Sequence, residues 1–203
     1  MLSSIHPFGE RARGSTWGIT VTAYVAGAVT GGALVGGLFG TAGFILLGLP
    51  GLPAAALGVA ALAAVAAGLA LDSGITGWRI PSVGRQVNED WLNAYRGWVY
   101  GVGFGFQLGF GLDVIVTSAA TYAMLAVAFL SASPLGGVVI GAVFGVVRGV
   151  AILSGARVTS PELLRRFHRR LQGLATWARR LVVAAEAAVL AMLAVVLVSG
   201  VLR

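Results

Sequence analysis

The stretch "GVGFGFQLGFGLD", residues 101–113, decides the class of this chain. Glycine alternates with larger residues from Gly101 to Gly105, and then Gln107 and Asp113 stand among phenylalanines. A dinucleotide-binding turn needs GxGxxG between a strand and a helix. Here Phe106 occupies the place of the third glycine, and no soluble βαβ pattern flanks it. A period of two would suit a strand, but a helix reads the same glycines at a spacing of four. Gly101, Gly105 and Gly109 then share one ridge, which is how helices approach closely in lipid.

The rest of the chain supports the helical reading. Its 203 residues are 58% hydrophobic and only 10% charged, with a mean hydropathy of +0.91. A soluble domain of this size would need far more polar surface. Apolar runs of about 20 residues recur, the length that crosses a hydrocarbon core of about 30 Å. The expectation is an all-α polytopic transmembrane bundle forming a single integral membrane domain over 1–203. Its spans fall at about 17–47, 54–72, 97–131, 135–156 and 181–202. The first and third are overlong, so each must tilt, break or protrude. A break in the first would give six spans.

The connections separate the two sides of the membrane. "GLPGLP" (48–53) and "SASP" (131–134) are short, uncharged turns. Segment 73–96 carries Arg79, Arg85 and Arg96, and segment 157–180 carries Arg157, Arg165, Arg166, Arg169, Arg170, Arg179 and Arg180. Arg11 and Arg13 precede the first span, as in a signal peptide, but Trp17 to Leu47 is too long for a signal core and reads as an uncleaved span. The positive-inside rule predicts a multi-pass plasma-membrane protein with its N-terminus inside and its C-terminus outside. The net charge of +7 therefore points to an anionic inner leaflet, not to nucleic acid. The absence of Cys excludes thiol redox chemistry and thiolate metal sites.

Both inner segments show helical amphipathicity. Val87, Trp91, Tyr95 and Trp98 recur at helical spacing in one. In the other, Leu163, Leu164, Phe167, Leu171 and Leu174 lie opposite Arg165, Arg166, Arg169 and Arg170, after Ser160 and Pro161 as N-cap and first helical residue. These predict two interfacial helices, with Trp91, Trp98 and Trp177 at headgroup level. The other reading is a basic arm that docks a protein partner or a second copy. Trp17, Trp98 and Trp177 each open an apolar span beside Arg. This suggests a parallel repeat of inner segment, span, outer turn and returning span.

Small residues recur at a spacing of four in four spans: Gly32, Gly36 and Gly40; Ala56, Ala60, Ala64 and Gly68; Gly101, Gly105 and Gly109; Gly137, Gly141, Gly145 and Gly149. Spans one to four should therefore pack tightly, leaving the fifth at the periphery. Six polar residues remain inside: Gln107, Asp113, Thr117, Thr121, Arg148 and Glu186. Intramembrane polar groups are costly and mark a ligand or ion pathway. At 1.5 Å per residue, Arg148, Glu186 and Gln107 lie at about 8–15 Å from the inner side. An Arg148–Glu186 ion pair near Gln107 is expected. Asp113 lies deeper, at about 24 Å, with Thr117 and Thr121.

"YGVGFGFQLGFGLDVIVTSA", starting at Tyr100, resembles the broken helix that opens a repeat in the DsbD/CcdA-like transmembrane electron carriers. The wider group includes small LysE- and TauE-like exporters. The resemblance covers about 40 residues and implies a small Gly-rich bundle. Without Cys, no residue inherits the thiol relay, and five spans in a parallel repeat depart from the six spans and inverted repeats of those carriers.

The functional expectation is a small-solute or ion permease. The alternative is a non-transporting scaffold or accessory subunit that docks a partner through its basic inner helices. An enzyme is not expected, nor a cofactor or metal: His6 and His168 are far apart, and neither HExxH nor a carboxylate cluster is present.

Overall fold

A computed structural model describes residues 4–78, 91–111 and 118–201 of the chain. Every regular element among them is helical. α1 (Pro7–Ala12) begins where His6 accepts a hydrogen bond from the Gly9 N–H at 3.1 Å and Pro7 occupies the first turn. α2 (Trp17–Gly43) runs without interruption into a π-helical turn, Phe44–Gly48. α3 (Ala54–Ser73) ends at Gly74, whose φ of 76° is left-handed. α4 (Trp91–Ala94) is a single turn. α5 (Gly97–Phe110) and α6 (Ala120–Leu130) follow. α7 (Pro134–Val150) is capped by Ser133, which accepts from Gly136 N–H at 3.1 Å, and continues into a 3-10 turn, Ala151–Gly155. α8 (Pro161–Val201) spans 41 residues, starting where Leu163 N–H donates to Ser160 Oγ at 3.3 Å.

Four stretches are long and apolar enough to cross a membrane: Trp17–Gly48, Ala54–Ser73, Pro134–Gly155 and Pro161–Gly200. The chain is a helical membrane protein. Large apolar side chains such as Leu38, Val139, Val147 and Val195 face outward, as on a surface that meets lipid.

α2 lies at the centre, with α5 and α7 on it, while α3 packs chiefly on α6 and α8. Glycine sets the approach on both faces. On one, a Cβ at Gly32 or Gly36 would run into the carbonyl oxygen of Gly141 or Gly137, a Cβ at Gly40 into that of Ser133, and Gly145 meets Ala28 and Gly149 meets Val25. On the other, Gly101, Gly105 and Gly109 lie against the carbonyls of Thr20, Tyr24 and Ala28. α5 therefore runs parallel to α2, and α7 antiparallel.

The overlong third span breaks, one of the courses open to it: α5 ends at Gly111, whose φ is 75°, and α6 begins at Ala120. Other sequence expectations are corrected. The fifth span and the inner segment 157–180 are not separate helices. No Gly or Pro stop divides them, so the helix propagates through both as α8. In α3 the buried residues are Ala61, Val65, Gly68 and Asp72, while Ala56 and Ala60 are exposed. The Ala ridge therefore joins the packed face only at Gly68. Of the inner segment 73–96, only α4 is a described helix, and Val87 lies outside the described residues.

Candidate functional site

Polar side chains gather at the end of α5 and at the start of α6. At Gly111 the chain closes α5 with a bond from its N–H to the Gln107 carbonyl, 3.1 Å. Positive φ favours glycine there. Space demands it too: a Cβ would sit 3.1 Å from Thr121 Cγ2 and 3.4 Å from Arg148 Nη1. Arg148 thus reaches from α7 to the carboxyl end of α5, where the helix dipole favours a cation. Its guanidinium carbon lies 5.3 Å from the Phe144 ring centroid, and Tyr24 is its electrostatic neighbour. Nη1 is buried with no hydrogen-bond partner among the described residues.

The opposite end of the break carries the opposite charge. Asp72, on the last turn of α3, accepts from the Ala119 N–H at 2.8 Å and from Ser118 Oγ at 2.5 Å. Ser118 Oγ in turn accepts from Ala120 N–H at 3.1 Å. These bonds satisfy the free amides that open α6 and place an anion at its positive end. Asp72 is 6% exposed, and its carbonyl accepts from Arg179 Nε of α8 at 2.8 Å. Glu186, two turns further along the same face of α8, is also 6% exposed. It faces Asp72 and lies beside Gly68, where a Cβ would be 3.5 Å from Oε1. Neither Glu186 oxygen has a donor among the described residues.

A second cluster lies where α1 meets the starts of α2 and α5. Glu10 is fully buried and accepts from Arg13 Nη2 at 2.6 Å, Thr20 Oγ1 at 2.7 Å and the Tyr100 hydroxyl at 2.6 Å. It ties α1 to the first turns of α2 and α5. Beside it lies a cleft of about 550 Å³ lined by Arg13, Ser15, Thr16, Tyr95, Arg96 and Trp98, among others.

The expected Arg148–Glu186 ion pair is absent. Arg148 stands with α2 and α5, whereas Glu186 stands with α3; the single ion pair among the described residues is Arg13–Glu10. The depths of the two were read from sequence, but depth says nothing of position around the bundle. Gln107 is half-buried, and among the described residues its side chain bonds to neither Arg148 nor Glu186. Thr121 is buried beside Gly111. Asp113 and Thr117 lie outside the described residues.

Arg165, Arg166, Arg169 and Arg170 are exposed on α8. Trp98 and Trp177 are exposed, and Arg180 lies over the Trp177 ring at 5.3 Å. Trp91 instead turns inward and stacks on Phe104, with centroids 6.0 Å apart. Sequence reasoning missed Glu10, Tyr100 and Asp72. Asp72 ends an apolar run two residues before Gly74, and the position of α6 beside it makes it buried.

No family model, curated protein or solved structure matches the chain.

Proposed function

We propose that the protein is a small multi-pass permease of the plasma membrane that moves an ion or small solute past its interrupted third span. The observation that carries this is the break itself. Both half-helix ends lie inside the bundle, the carboxyl end of α5 met by Arg148 and the amino end of α6 met by Asp72. Discontinuous helices with ends aimed into the bundle are how transporters build ion and substrate sites. In this reading α5 and α6 together make one crossing, so the chain crosses five times with the N-terminus inside and the C-terminus outside. Glycine-mediated contact holds the static unit, α2 with α5 and α7, and Arg148, Thr121, Gln107 and Glu186 border the moving parts. Asp113 and Thr117 would belong to the same pathway.

Flux in proteoliposomes tests it. An imposed ion or pH gradient should dissipate faster with the wild type than in protein-free vesicles, and Arg148→Ala and Asp72→Asn should each slow it about tenfold or more. Leakage equal to that of empty vesicles under every gradient would remove the permease reading.

One observation favours a second reading. The Arg-bearing half of α8 is exposed on nearly all sides, as a docking helix for a partner or an anionic leaflet would be. A scaffold of this kind would leave flux at the empty-vesicle level.

A further inference from the structure

We propose that Asp72 and Glu186 form a proton-binding site, in which one proton is shared between the two carboxyls where α3, α6 and α8 meet. Two ionised carboxylates side by side and away from water repel one another, and each pays for lost hydration. Hydrogen bonds relieve that cost for Asp72 alone, because its oxygens take the Ala119 N–H and the Ser118 hydroxyl. Glu186 is 6% exposed, and neither of its oxygens receives a donor among the described residues. A carboxylate left so is expensive, whereas a carboxylic acid donates its own O–H to the facing Asp72 and leaves only ordinary acceptors. The missing hydrogen-bond donor is therefore the proton itself.

The surroundings limit what else could sit there. From α3 the facing titratable group is Asp72. From α6 come Ser118, Ala119 and Ala123, none of them titratable. On α8 itself Arg179 lies two turns earlier on the same face and donates to the Asp72 carbonyl. A hard metal ion asks for about six oxygen ligands, but both Asp72 oxygens are already engaged. No group of three or more metal-ligating side chains occurs among the described residues. A proton needs only the two oxygens that face each other.

The site also couples position to protonation. Asp72 holds the start of α6 by two hydrogen bonds, and α8 reaches the bundle chiefly through α3. Losing the proton sets two like charges against each other at the α3–α8 contact and pushes α8 away. This deepens the permease reading by naming its coupling ion, and it rests on that reading only for transport; binding can be measured without it.

The test is an infrared pH titration of the full chain in lipid nanodiscs, following the C=O stretch of protonated carboxyls. At pH 7 the wild type should show one protonated carboxyl per chain. Glu186→Gln and Asp72→Asn should each lose it, since either amide supplies the missing donor and lets the remaining acid ionise. Glu162→Gln, at an exposed position of α8, should keep it. Both substitutions at the site are near-isosteric, and a variant with an altered size-exclusion profile leaves the other to decide. A wild type with no protonated carboxyl at pH 7, or a signal that survives both substitutions, overturns the proposal. The expected signal with no flux under any gradient would retain the site and remove the permease reading, and flux without the signal would do the reverse.

Discussion

Replacing Glu10 with Ala strips three donors of their acceptor at once. Thr20 keeps a weak alternative in the Thr16 carbonyl at 3.4 Å, but the Tyr100 hydroxyl, fully buried, keeps none that replaces a carboxylate. Arg13 is partly open to solvent, its side chain 23% exposed, so its share of the loss is screened. The expected cost is about 3 kcal/mol, read as a lower midpoint of thermal unfolding in detergent; Glu10→Gln, which still accepts, should lose less. His6 sets a pH limit on the same corner. Burial, then the Arg13 charge, push its imidazole below the ordinary 6.5, and Nδ1 must be unprotonated to accept from Gly9. The unfolded segment therefore binds more protons than the folded one below that value. Docking of α1 is complete above about pH 6.5 and is lost as pH falls from there through the lower folded value. Amide exchange at Gly9 should accelerate in that window, and His6→Asn, which caps without titrating, should abolish the acceleration.

At the scale of the helix, a glycine's importance depends on what its missing Cβ would meet. Gly36 faces the carbonyl of Gly137, and backbone cannot swing aside as a side chain can. Gly36→Ala should force α2 and α7 apart and cost about 1–3 kcal/mol. Gly173 faces open space in α8, so Gly173→Ala should be neutral or stabilise by up to about 1 kcal/mol. Equal effects of the two on the unfolding midpoint would remove the argument. The comparison also shows what the sequence could and could not disclose. Apolar runs fix that helices cross a membrane, because hydrophobic length alone answers that question. The ridge Ala56–Ala60–Ala64 has the same spacing as Gly137–Gly141–Gly145, yet its first two residues are exposed. Spacing defines a face, and only the neighbours decide whether that face is used. A break was one of the courses open to the overlong third span, but its place was not legible: of the five Gly in "GVGFGFQLGFG", Gly111 is the left-handed one, and a Cβ there would meet Thr121 and Arg148. The site suffered most, since similar depths read from sequence put Arg148 beside Glu186, but the two stand on different sides of the bundle, and Asp72 becomes a buried acid only through α6.

For the molecule as a whole, α8 fixes the geometry relative to the bilayer. Its 41 residues measure about 60 Å, twice the hydrocarbon thickness of about 30 Å. In the proposed five-crossing topology about half projects, and the composition selects which half: Arg165, Arg166, Arg169, Arg170, Arg179 and Arg180 all precede Leu181, and no charge but Glu186 follows before the last residue. In that topology Arg179, bonded to the end of α3, would mark the inner boundary, with Asp72 and Glu186 just within it. The chain has no Cys, so single cysteines can test this placement directly. Gly173→Cys should react with a membrane-impermeant maleimide in inside-out vesicles and stay protected in right-side-out ones. Leu49→Cys, in the exposed turn after α2, and Ser199→Cys, near the end of α8, should show the opposite pattern. All three positions are exposed, so a failure to label reports the side of the membrane and not burial in protein. Labelling of residues 173 and 199 from the same side would mean that α8 lies along the membrane surface. That would also take Glu186 out of the bilayer, and with it the reason for the pair to hold a proton.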